Sequence, residues 1–107
     1  MPTVTVFVTA RAVAGTTPIS VSIDIKVTDA ATGEVVHTRS TTGEIADLAT
    51  PFTYMDQFAG EPGRTYLVEA TATFTNQFGQ DVKTASKEVA IPGEPPRGEI
   101  SLEVTVT

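Results

Sequence analysis

The chain has no cysteine, no tryptophan, one histidine and one asparagine among 107 residues, and its 7 Lys and Arg are outnumbered by 13 Asp and Glu. Without cysteine there is no disulfide, no zinc-thiolate site and no thiol nucleophile. Small animal secreted domains lean on disulfides, so a prokaryotic or viral source is the expectation. The formal net charge of -6 argues against a nucleic-acid or anionic-membrane surface, because both need clustered Lys and Arg. The acidity reads as a solubility feature. No segment approaches the ~20 apolar residues of a spanning helix, and no basic region with an apolar core of the export type precedes Val4. Either the protein acts in the cytoplasm or a virion, or these residues are one module of a longer exported chain.

What the chain does have is β-branched and aromatic residues at a period of two. In Gly63 to Phe74, opened by Pro62-Gly63, the residues Tyr66, Val68, Ala70, Ala72 and Phe74 alternate with Leu67, Glu69, Thr71 and Thr73. That is a strand with one face buried. Ile19, Val21, Ile23, Ile25 and Val27 alternate as cleanly, which predicts a half-buried, central strand. Val4 to Val8 reads as a first strand at a sheet edge, with either face open to burial. Asp29 to Glu34 is a tight connection in which Asp29 can bond its own backbone and Gly33 can take a positive φ, so Val35 to Ser40 returns as a hairpin.

Thr41-Thr42-Gly43-Glu44 reads as a further turn, and Ile45 to Thr50 as an edge strand or a short helical turn. Phe52 to Phe58 is a short aromatic strand, with Phe52, Tyr54, Asp56 and Phe58 in one phase, and Ala59 to Gly63 is a corner. After a turn at Asn76 to Gln80, Val82 to Ile91 returns with Ala85, Val89 and Ile91 inward and room for a bulge. Residues 92–98, rich in Pro and Gly, form a linker or a strand-switching crossover. Ile100 to Val106 alternates again and needs a sheet to join, beside the first strand or in a following repeat. One all-β domain over residues 1–107, an immunoglobulin-like antiparallel β-sandwich of 7–8 strands, is the expected architecture.

The segment Glu61-Pro62-Gly63-Arg64-Thr65-Tyr66-Leu67-Val68-Glu69-Ala70 resembles the Pro-Gly-x-x-Tyr-x-Val-x-Ala lead-in to the penultimate strand of fibronectin type III and related immunoglobulin-like modules. The resemblance implies that Tyr66 is a tyrosine corner, its ring in the core and its hydroxyl bonded to backbone upstream. Lack of tryptophan points away from the animal modules and toward bacterial surface proteins. A second stretch, Val27 to Val36 followed by Thr41-Thr42-Gly43-Glu44, resembles the Asp-x-x-Thr-Gly hairpin of carboxypeptidase-regulatory-like and adhesin B-type repeats, which share a transthyretin-like sandwich. The two families differ in strand order. Adhesin repeats often carry a Lys-to-Asn crosslink, for which Asn76 is the only asparagine on offer.

Candidate chemistry is sparse. His37 sits on a predicted strand beside Arg39 with no motif pointing to it, and reads as a solvent-facing residue. Nucleophile elbows, phosphate loops and paired metal-binding histidines are absent. Asp29, Glu34 and Glu44 could crowd at one end of a sandwich, but their spacing matches no calcium loop. No catalytic residue, cofactor or metal site is expected. Tyr54, Phe58 and Phe78 are the aromatics that could contact a ligand such as a glycan, with core or corner packing as their ordinary role.

The functional expectation is a non-enzymatic structural or adhesive module of a longer extracellular or cell-surface protein, monomeric, meeting neighbouring domains, protein or glycan. A carbohydrate-binding module and a phage tail or capsid decoration domain are the alternatives.

Overall fold

The computed structural model describes residues 2–93 and 100–107. Seven strands are present: β1 (Thr3–Ala10), β2 (Ile19–Asp29), β3 (Val35–Ile45), β4 (Phe52–Ala59), β5 (Thr65–Asn76), β6 (Gly79–Ala90) and β7 (Ile100–Val106). They form a three-stranded sheet in the order β4-β1-β7 and a four-stranded sheet in the order β3-β2-β5-β6. This is the all-β sandwich of two sheets expected from the alternation. Every pairing is antiparallel except that of β1 with β7, which run parallel.

The core lies between the inward faces of the two sheets. Ile19, Val21, Ile23, Ile25 and Val27 of β2 and Tyr66, Val68, Ala70, Ala72 and Phe74 of β5 form one side of it. Val4, Val6, Val8 and Ala10 of β1 face them with Phe58, Val104 and Val106. Small and β-branched side chains dominate, which suits closely spaced pleated faces. Burying each Val or Ile contributes about 1.5–3 kcal/mol against the entropy of ordering the chain.

Several expectations are corrected. β1 lies in the middle of its sheet, because β7 arrives from the far end of the sequence to pair on its other side. Its valines face inward, leaving Phe7 42% exposed on the outer face. Thr41 to Glu44 is not a turn: β3 runs through it to Ile45. Gly43 is there for space, since a Cβ at that position would collide with the Phe52 ring. Residues 46–50 then make the turn, with the Asp47 carboxylate accepting from the Ala49 amide at 2.7 Å.

β6 starts at Gly79, earlier than the predicted Val82, and its register with β5 is unbroken from Asn76 opposite Gly79 to Thr65 opposite Ala90. No bulge occurs there. The irregularity falls instead between Val27 and Thr28 of the β2–β3 pair. Of the linker expected at 92–98, residues 94–98 lie outside the described residues.

Candidate functional site

The two sheets meet at two open sides, β3 against β4 and β6 against β7. On the first side the inward face of β4 carries Phe52, Tyr54, Asp56 and Phe58, as the period of two requires. Opposite it, His37 and Arg39 lie across from the inward residues Val27 and Ile25 of β2, and so share their face. Asp56 is 4% exposed. It accepts hydrogen bonds from His37 Nε2 at 2.8 Å, from Arg39 Nε at 3.3 Å and from the Gln57 amide at 2.8 Å.

The His37 ring also stacks near Phe58, with centroids 6.1 Å apart. His37 is therefore a half-buried clasp residue, not the solvent-facing one predicted. A buried carboxylate is tolerated only when its acceptor sites are filled, and none of the described buried side-chain N or O atoms lacks a partner. The arrangement ties one sheet to the other. On the second side Lys87 Nζ donates to the Glu103 carbonyl at 3.0 Å, fastening β6 to β7.

A second polar cluster surrounds Tyr66. Its ring is 3% exposed and meets Phe58 edge-on at 5.5 Å. Its hydroxyl accepts from the Glu61 amide at 2.9 Å, five residues upstream. Gly63, with φ 83, turns the chain just before it. Arg64 bridges this corner to the β2–β3 hairpin, donating to Glu61 and to Asp29, each at 2.8 Å.

Asp29 in turn accepts from the Ala31 amide at 2.9 Å. The Ala31 bond, aided by Arg64 and opposed by burial, holds the Asp29 carboxyl below its ordinary value, and the two acids hold Arg64 above its own. A depressed folded-state value means stability that is present above the unfolded carboxylate range near 4 and lost as pH falls through the folded value. The expected result is a thermal midpoint that drops below about pH 4, with a shallower drop in Asp29→Asn; equal slopes in the two proteins would refute this role for Asp29.

Of the three residues singled out for ligand contact, Tyr54 and Phe58 share a face of β4, and neither lines the cleft beside Phe78. Phe58 is 6% exposed and belongs to the core, while Tyr54 is half-buried on the same face of β4. Phe78 is 76% exposed in the β5–β6 turn. It borders a cleft of about 540 Å³ floored by Ile19 and Phe74 and flanked by Val13, which is 77% exposed. Val13 is not among the residues the sequence singles out, because a lone apolar residue outside a strand carries no period.

The three acids are separated too: Asp29 and Glu34 stand at the β2–β3 hairpin, whereas Glu44 pairs with Ser20 at the other end of β2. Asn76 donates to the Thr16 carbonyl at 3.1 Å and accepts from the Phe78 amide at 2.9 Å, pinning the turn to the preceding loop. Lys26, Lys83 and Lys87 are engaged instead with Glu69, Asp81 and the Glu103 carbonyl. Comparison with family models, curated proteins and solved structures finds no match to this chain.

Proposed function

We propose that this is a non-enzymatic spacer module of a longer extracellular or cell-surface protein, built to hold its two ends apart under load. The observation that carries the reading is the parallel pairing of β1 with β7, from Val4 opposite Ile100 to Ala10 opposite Val106. Because the two strands run the same way, the chain enters at the Thr3 end of the small sheet and leaves at the Val106 end. Neighbours attached at those points leave from opposite ends of the β1–β7 overlap, which runs from Val4 opposite Ile100 to Ala10 opposite Val106 and is roughly 20 Å long at about 3.3 Å per residue. Tension between them slides β1 and β7 past each other, so the hydrogen bonds along all the register pairs share the load. An unzipping geometry would break them one at a time.

Strand order also bears on the two resemblances. The immunoglobulin constant-type order places the first strand beside the second and the third in the opposite sheet. Here β2 and β3 form a hairpin within one sheet and β1 lies between β4 and β7, which favours the transthyretin-type sandwich of the adhesin-like repeats. The net charge of -6 suits a module that must stay soluble. The glycan alternative rested on Tyr54 with Phe58, and the burial of Phe58 removes one half of that pair. A virion decoration role would use the same geometry of ends, and is distinguished by the genes that flank the reading frame.

Single-molecule stretching tests the reading. Pulled from its two ends, the sandwich is expected to unfold in one step at high force. Pulled between Thr3 and Ala59, which face each other across the antiparallel β1–β4 pair, it is expected to unzip at much lower force. Equal forces in the two geometries would overturn the spacer proposal.

A further inference from the structure

The four outer strands are protected unequally against pairing with another chain. β4 packs its inward face against β3 through Asp56. β7 has a backbone carbonyl, that of Glu103, capped by Lys87. β3 is broken by the irregularity opposite Val27 and Thr28, a device that blunts edges. β6 touches the facing sheet through Lys87, but among the described residues it has no irregularity and no cap on its own backbone. It is 12 residues long, contains no proline, keeps an unbroken register with β5, and among the described residues nothing pairs with its other side.

From this we infer that β6 pairs antiparallel with β6 of a second copy of the chain, joining two four-stranded sheets into one of eight strands. The charges of β6 choose the register. Asp81, Lys83, Ala85 and Lys87 stand opposite the inward residues Phe74, Ala72, Ala70 and Val68 of β5, so all four lie on one face. Inward charges on an edge ordinarily deter pairing. On β6 their signs are self-complementary about Thr84.

A two-fold axis at Thr84 sets Asp81 against the second copy's Lys87, and Lys87 against the second copy's Asp81, while Lys83 meets Ala85. On the other face Val82, 53% exposed, meets Ser86. Moving the axis to Lys83 opposes that lysine to itself, and moving it to Ala85 opposes Lys83 to Lys87; both are repulsive. A slip by a single residue puts the Asp81–Lys87 face of one copy against the Val82–Glu88 face of the other and breaks both Asp81–Lys87 pairs. The Lys87 ammonium has three donors, so it can keep the Glu103 carbonyl while meeting Asp81.

An edge-to-edge contact of this length falls below the size of standard stable interfaces, which sets the expected dissociation constant at roughly 0.1–1 mM. This partner is a second copy, where the sequence suggested a monomer.

Sedimentation equilibrium of the whole chain at low salt is the test. Reversible dimers are expected to form with concentration, and Asp81→Lys or Lys87→Asp alone to weaken them roughly tenfold, since each turns two attractions into two repulsions. The double exchange Asp81→Lys with Lys87→Asp is expected to restore association, which separates register from any loss of the Glu103 contact. Circular dichroism confirms that each variant is folded. A monomer at every concentration to ~1 mM, single variants that associate like the parent, or a double variant that stays monomeric would each overturn the inference.

Discussion

Tyr66→Ala is expected to cost about 3–5 kcal/mol of folding stability, enough to unfold much of the population in a domain with a total of roughly 5–15 kcal/mol. The ring lies in the core, packs edge-on against Phe58, and sits beneath the Gly60 corner, where an added Cβ would reach the ring at 3.4 Å. Truncation leaves a cavity walled by both sheets. It also frees the Glu61 amide from the hydroxyl that satisfies it. Tyr66→Phe separates the two effects: it keeps the ring and loses only the hydrogen bond, for an expected cost of about 1–2 kcal/mol. Urea unfolding of both variants checks this. A loss below ~1 kcal/mol for the alanine variant would show that Tyr66 does not hold the sheets together.

The second large effect is expected at Asp56. Removing its carboxylate by Asp56→Ala leaves His37 and Arg39 facing a void between the sheets. Breaking a buried ion pair commonly costs 3–5 kcal/mol. Here the Arg39 side chain is 51% exposed and can rehydrate, so the expected loss is smaller, about 2–3 kcal/mol. Most of it arises from the cross-sheet bonds. Asp56→Asn, which keeps the shape but not the charge, is expected to fall between parent and alanine. Replacing Asp56, His37 and Arg39 together with apolar residues should cost less than the sum of the single losses, because no orphaned charge remains. Additive losses in that cycle would mean the three side chains do not act as one clasp.

These two positions also show where the fold was legible from residues alone. β2 and β5 could be read because each buries one whole face, and a period of two is then printed along the strand. The hairpin at Asp29 and Gly33 was legible because both residues act locally, one by bonding to the Ala31 amide and the other by its positive φ of 76. What could not be read was whatever depends on partners distant in sequence. β1 is central only because β7 returns to it, and no local feature of Val4 to Val8 records that. Gly43 looks like a turn residue until Phe52 is placed over it.

The clasp was half visible. Asp56 occurs in phase with Phe52, Tyr54 and Phe58, and a carboxylate inside an apolar series is a signal that a buried partner waits nearby. Its partners could not be named, because the register of β3 against β2 shifts at the irregularity and because β3 and β4 belong to different sheets. Phe78 could not be separated from Tyr54 and Phe58 for a related reason: aromatic identity says nothing of which end of a sandwich a residue occupies.

The parallel alignment of β1 and β7 is the feature on which the proposed spacer role depends, and nuclear Overhauser contacts between their backbones test it most directly. Contacts linking Phe7 with Glu103 and Val8 with Val104, in the parallel register, are the expected result. Contacts placing β7 antiparallel to β1, or beside β6 in the larger sheet, would contradict it and bring both chain ends to a different geometry.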